Sequence, residues 1–273
     1  MSSQTMLRSG ANIYYESRGA GPVLLLISGG NGDTVAFQAL ACALADDFTV
    51  LTYDRRGFSR SVVTESVDDH NRLTVDIEDA SRLLDLASDD PAFVFGSSSG
   101  AIIALELLLS HPEQLTKVVA HEPPLMNLLP DALHWHTFFS TVHATAARSG
   151  TAAAMAQFGA ELGLDSPQLP PIETLPPHVI EMLTRMEQNN EFFLEHELRQ
   201  YTNVTIDLAL LRKLRTHVVL AGGSESHQFL PYRPNLLLSD ELNLPIVDFP
   251  GNHVGYVAHP AEFGTQLREL LLG

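Results

Sequence analysis

The chain predicts an α/β fold in which a mostly parallel sheet is sandwiched by helices and carries an inserted helical lid. Three observations lead there. Short β-rich runs alternate with helix-length amphipathic runs as far as residue 122, the same alternation resumes after residue 206, and the stretch between them keeps helical periodicity without convincing strands. The expected organisation is therefore a core of residues 1–122 and 207–273 interrupted by a lid of residues 123–206.

Residues 12–17 and 23–27 read as strands, the second an unbroken apolar run. In 35–45, Phe37, Leu40, Ala41 and Leu44 recur at helical spacing; 48–53 is rich in β-branched and aromatic residues and reads as a strand. Residues 73–87 repeat Leu73, Ile77, Ala80 and Leu84 along one helical face. Strand 92–95, helix 99–110 and strand 117–121 follow, and the last block adds strand 218–221, helix 231–243, strand 245–249 and helix 260–272. Within the lid, 132–148, 151–162, 177–189 and 191–201 read as helices, and 165–177 is a proline-rich connection that would break any continuous one. A lid of this kind sequesters substrate and excludes water.

Gly96-Ser97-Ser98-Ser99-Gly100 lies between the strand 92–95 and the helix 99–110. A strand that turns into a helix within two or three residues strains its central residue, and flanking glycines let the chain pack closely enough to tolerate it. Ser98 is thereby the candidate nucleophile, its hydroxyl held at the carboxyl edge of the sheet, with the helix N-terminus aimed at any oxyanion formed beside it. A serine hydroxyl needs a base, and 12 histidines compete. On such a fold the histidine comes last in sequence, in a loop after the final strand. His253, in Pro250-Gly251-Asn252-His253 directly after strand 245–249, is placed so; His259 precedes Pro260 as a helix-entry residue.

Two glutamates are candidates for the acid. Glu122 stands at the end of strand 117–121, where Pro123 is expected to hold it extended, and Glu225 follows strand 218–221. Position allows both. An oxyanion site needs two donors: the N–H of Ser99 comes with the elbow, and the second is expected from the loop Ser28-Gly29-Gly30-Asn31-Gly32-Asp33, with Gly30 as the choice. That loop is not a dinucleotide fingerprint, because the spacing and an acidic residue ending the next strand are both missing. Asp54-Arg55-Arg56-Gly57, after strand 48–53, resembles a phosphate clamp, but a turn tied by its own ion pairs is the preferred reading. Asn31, Trp135, Phe138, Phe139 and His227 are candidates to line the substrate pocket.

Bulk properties exclude several roles. Sixteen Lys and Arg against 33 Asp and Glu give a net charge of −17, which repels nucleic-acid phosphates and anionic lipid headgroups. No apolar run approaches the ~18 residues needed to span a bilayer, and the first residues carry no signal-peptide pattern, so a cytoplasmic monomer or homodimer is expected. The single cysteine, Cys42, lies in an apolar pattern and is expected to be a small buried side chain. No Cys/His spacing points to a metal, and no cofactor is expected.

The glycine loop at 28–33, Tyr53 to Ser61, the elbow at 96–100 and Gly251-Asn252-His253 together resemble the α/β-hydrolase superfamily over essentially the whole chain. Phe95-Gly96-Ser97-Ser98-Ser99-Gly100-Ala101 with His121-Glu122-Pro123 resembles the branch containing the zearalenone-type lactone hydrolases. That resemblance implies a triad acid at the end of the strand after the nucleophile helix, which is Glu122, and oxyanion donors at Gly30 and Ser99. It further implies hydrolysis of a carboxylic ester or lactone, small and apolar, through an acyl-enzyme. A perhydrolase or lyase on the same scaffold, and a non-catalytic ligand-binding protein, are the competing readings. Ser28-Gly29 stands where many members of the superfamily have His-Gly.

Overall fold

Among the described residues, eight strands form one sheet in the order β1-β2-β4-β3-β5-β6-β7-β8. The computed structural model describes residues 2–164, 171 and 174–273. The strands are β1 (Ser2–Arg8), β2 (Ala11–Arg18), β3 (Val23–Ile27), β4 (Thr49–Tyr53), β5 (Ala92–Ser97), β6 (Leu115–His121), β7 (Val218–Gly223) and β8 (Ile246–Phe249). The β1–β2 and β2–β4 pairings are antiparallel; every pairing from β4 to β8 is parallel.

Alternation along the central strands sorts the core into two layers. Leu25, Ile27, Val94, Val118 and Ala120 point to the face covered by α2 (Arg72–Ala87) and α3 (Ser99–Ser110), where Ala80, Leu83, Ile102 and Leu105 meet them. Leu24, Leu26, Phe93, Phe95 and Val119 point to the opposite face, packed by α1 (Gln38–Leu44) and residues of the C-terminal helix such as Phe263 and Leu267. A strand buried on both sides has no polar face to show, which is why β3 reads as five consecutive apolar residues.

Between β6 and β7 the chain leaves the sheet for α4 (Ala132–Ser149), α5 (Thr151–Glu161), α6 (Pro177–Phe192) and α7 (Leu198–Thr202), followed by α8 (Leu208–Lys213) on the return. The insert has its own apolar core, in which Trp135, Phe139, Val142 and Phe193 pack together with Phe58 and Leu230 of the sheet domain. After β7 come α9 (Arg233–Leu242), β8, the short α10 (Gly255–Ala258) and α11 (Pro260–Leu272).

Four local expectations are corrected. The first strand was not expected: of β1 only Met6 is buried, so its sequence carries almost no alternation, and it is held by backbone pairing with β2 through the Ser9-Gly10 turn. The expected helix 35–45 opens with a 3₁₀ turn, Thr34–Phe37, before α1 begins. Residues 191–201 are not a separate helix but a continuation of α6 through a π turn at Phe193–Glu197 into α7. Cys42 is exposed, because Leu40, Ala41 and Leu44 take the inward face of α1 and position 42 falls on the other side. The expected proline-rich connection at 165–177 lies mostly outside the described residues.

Candidate active site

Ser98 occupies the one-residue corner between β5 and α3 with φ 58° and ψ −126°, a conformation that costs a non-glycine residue of order 1–3 kcal/mol. Its flanking glycines have no room for a side chain. A Cβ on Gly96 would lie 2.2 Å from the Gly100 carbonyl oxygen, and one on Gly100 would lie 2.2 Å from that of Ile27. The glycines are therefore required by contact between β5, α3 and β3. The Ser98 N–H donates to the His121 carbonyl at 2.9 Å, tying the corner to the end of β6.

Immediately past that point Glu122 turns back with φ 50°. This corrects the expectation of an extended backbone before Pro123: the Glu122 N–H donates to the Ala221 carbonyl at 3.0 Å, and β7 pulls the residue out of the strand path. Its carboxylate is fully buried and doubly held. Oε1 accepts the Gly223 N–H at 2.8 Å, and Oε2 pairs with His253 Nδ1 at 2.5 Å. Burial alone would raise the Glu122 carboxyl, but the hydrogen bond from His253, reinforced by the neighbouring imidazoles and the Gly223 amide, brings it down to about 2. His253 itself is delivered by the loop after β8.

Glu225 lies elsewhere. It is exposed, its N–H donates to the Gly251 carbonyl at 3.0 Å, and its carboxylate pairs with no cation among the described residues. His121, one residue before Glu122, is enclosed by Phe95, Phe249, Tyr256 and Phe263, with its Nδ1 3.4 Å from Ser97 Oγ. Burial pushes its imidazole down to about 4. His121, Glu122 and His253 place possible metal-ligand atoms within 4.8 Å of one another, a cluster no sequence spacing shows. Two of those three are already joined to each other.

The loop after β3 lies directly against the elbow, since a Cβ on Gly29 would approach that of Ser98 to 2.8 Å. Neither the Gly30 N–H nor the Ser99 N–H has an acceptor among the described residues. Phe193 lies over Gly30 so closely that a Cβ there would sit 2.6 Å from the ring. Ser98, Ser99, Glu122 and His253 share one cavity with an apolar wall that includes Met126, Phe139, Phe158, Leu162, Phe193 and Leu230.

Of the candidate pocket residues, Phe139 is in that wall and the other four are not. Trp135 is buried inside the insert with its indole N–H donated to Asp131, and Phe138 lies beside it, one helical step away from the inward face. His227 is exposed and pairs with Asp248 at 2.9 Å. Asn31 does not line the cavity, and its buried Oδ1 has no hydrogen-bond partner among the described residues. His259 caps α11 as expected, its carbonyl accepting the Phe263 N–H.

Sequence reasoning missed a second buried cluster. The turn at Asp54 is tied by its own pair, Asp54 with Arg60 at 2.6 Å, but Arg55 and Arg56 bond outside it. Arg56 pairs with Asp79, whereas Arg55, fully buried, reaches Asp76 on α2 and Glu197 in the π turn of the insert. Burial would lower the Arg55 guanidinium, yet the carboxylates of Glu197 and Asp76 hold it well above its ordinary value. An arginine in an Asp-Arg-Arg-Gly turn carries no sequence signal for a partner 142 residues away.

Residues 22–162 match the sequence profile of the alpha/beta hydrolase fold family, and the chain belongs to that family. It is 36% identical over 272 residues to an uncharacterized hydrolase, YraK, of Bacillus subtilis (strain 168), covering 98% of this chain and 95% of the relative. To a zearalenone hydrolase of Cladophialophora bantiana it is 27% identical over 273 residues, with the same coverage of 98% and 95%. The crystal structure of a hydrolase from Pseudomonas aeruginosa PA01 superposes with a TM-score of 0.71 at 22% identity, covering 99% and 98% of the two chains. The protein is thus an α/β-hydrolase enzyme; no helix among the described residues is long and apolar enough to cross a membrane.

Proposed function

We propose that the protein is a serine hydrolase that cleaves an apolar carboxylic ester or lactone through an acyl-enzyme, with Ser98 as nucleophile, His253 as base and Glu122 as the orienting acid. The observation that carries this reading is the 2.5 Å contact between His253 Nδ1 and Glu122 Oε2 at the floor of the cavity that Ser98 lines. With Nδ1–H donated to Glu122, Nε2 is the ring nitrogen left to accept a proton. Ser98 Oγ attacks the carbonyl carbon as its proton passes to Nε2, and the Gly30 and Ser99 amides hold the oxyanion. Collapse of the tetrahedral intermediate breaks the C–O bond, and His253 returns the proton to the alkoxide. Water then attacks the acyl-enzyme by the same route. In a lactone the alcohol released is part of the acyl group and stays in the cavity.

The apolar wall supports an uncharged substrate, and kinship with a zearalenone hydrolase supports a lactone among the esters. The insert of residues 123–206 acts as the lid, contributing Met126, Phe139, Phe158, Leu162 and Phe193 to that wall. A panel of p-nitrophenyl esters and macrocyclic and small lactones tests the reading: wild-type enzyme turns over at least one apolar member with a burst of alcohol release, and Ser98→Ala turns over none. Undiminished hydrolysis by Ser98→Ala would exclude the acyl-enzyme.

A further inference from the structure

The cluster around Arg55 lies beneath both oxyanion donors and is closed by a residue of the insert. Arg55 Nη1 donates to the Ser28 carbonyl at 3.3 Å and the Gly29 carbonyl at 3.0 Å, and so grips the two residues before Gly30. The same nitrogen reaches Ser99 Oγ at 3.2 Å and Glu197 Oε1 at 3.0 Å, and Nη2 reaches Glu197 Oε2 at 2.7 Å and Asp76 Oδ2 at 3.0 Å. Ser99 Oγ in turn donates to Glu197 Oε1 at 2.6 Å. Glu197 is thus bonded to the residue that supplies one donor and, through Arg55, to the loop that supplies the other. The side chains of Arg55, Asp76 and Glu197 are at most 1% exposed.

The carboxylate is placed by an irregular turn. A π turn at Phe193–Glu197 adds a residue to the helix between α6 and α7, and such turns are frequent at functional sites. Within that turn Phe193 covers Gly30 while Glu197 enters the core. The same five residues therefore cover one donor from outside and hold both from below.

On the acyl-enzyme reading given above, we propose that Glu197 is a positioning residue that sets the Gly30 and Ser99 amides in register only when the insert is seated on the sheet. Its role is exercised through Ser99 Oγ and Arg55, without contact to the reacting atoms. A group of this kind acts on the transition state, where the oxyanion forms, and leaves ground-state binding in the apolar cavity nearly untouched.

The test is a double-variant cycle with Glu197→Gln, Ser99→Ala and the pair, read by kcat and KM for p-nitrophenyl butyrate and by the rate at which a fluorophosphonate labels Ser98. Ser99→Ala keeps the amide and the Arg55–Glu197 pair but cuts the link between them and the donor. Each single variant is expected to lose roughly 10- to 30-fold in kcat and in labelling rate with KM within about twofold, less than the ~10² of a deleted oxyanion donor. The pair is expected to lose no more than Glu197→Gln alone, because both changes break one chain of contacts. A folded Glu197→Gln with wild-type kcat and labelling rate overturns the inference, as do losses that multiply in the pair. If Glu197→Gln fails to fold, as judged by circular dichroism, Ser99→Ala decides alone, and wild-type kcat in that variant overturns it. Wild-type protein that is not labelled at Ser98 overturns the acyl-enzyme reading itself, so the two failures are told apart.

Discussion

Two buried ionic clusters flank Ser98, and they are built for opposite ends. Glu122 with His253 joins a carboxylate to an imidazole, the pair proposed above to handle the proton. Arg55 with Asp76 and Glu197 joins carboxylates to a guanidinium, which stays charged throughout. The first lines the cavity and belongs wholly to the sheet domain; the second lies under the glycine loop of residues 28–33 and takes one member from the insert. Burial of charge is common to both, so burial alone does not distinguish the proposed proton-transfer pair; the imidazole in place of a guanidinium does.

The largest effect should separate the acids. On the proposed mechanism, Glu122→Gln keeps side-chain volume but removes the charge that would stabilise the imidazolium, a loss that can reach ~10⁴ in kcat, and is expected to cost at least ~10²-fold. Glu225→Gln, on an exposed side chain, is expected to cost less than ~10-fold. Parallel kinetics of the two folded variants check this, and a larger loss at Glu225 would reverse the assignment.

The second cluster should answer in stability. Asp76→Asn strips a carboxylate from between Arg55 and Arg72 and leaves buried guanidinium charge uncompensated, which costs about 3–5 kcal/mol in such pairs. Urea unfolding measures it; a loss below about 1 kcal/mol would show that the cluster does not hold the fold.

Beside the first cluster, His121 gives a pH signature. Its folded pKa of about 4 lies below the ~6.5 of an unfolded histidine, so between those values the unfolded chain binds the extra proton. Stability is full above pH 6.5 and falls as the pH drops toward 4, by about 3 kcal/mol in all. His121→Phe is expected to flatten that part of the curve in urea titrations at pH 7, 6, 5 and 4; an unchanged slope would assign the acid sensitivity elsewhere.

The smallest effect concerns the cavity wall. Phe139→Leu should raise KM for p-nitrophenyl butyrate about threefold, whereas Phe138→Ala, off the wall, should leave it within about twofold. Equal shifts would mean the wall is drawn wrongly.

What could be read in the sequence divides along the same line. Strands buried on both faces show as apolar runs, and the corner at Ser98 needs two glycines by contact, so both are written locally. His253 needed only chain order, after the last strand, whereas position left Glu122 and Glu225 both open and only the resemblance pointed to Glu122. The Arg55–Glu197 pair left no mark, because it joins a turn after β4 to one of many glutamates on a helical insert, and a π turn has no periodic signature. Trp135 misled for a related reason: periodicity gives a helix face, but which neighbour that face meets is decided by tertiary packing. Edge strand β1 was silent because backbone pairing, rather than burial, holds it.

Covalent labelling tests the proposed nucleophile, Ser98, most directly. Intact-protein and peptide mass spectrometry after treatment with a fluorophosphonate should show one adduct, carried by the peptide containing Ser98 and missing in Ser98→Ala. An adduct on another residue, or none on an enzyme that hydrolyses its ester, would contradict it.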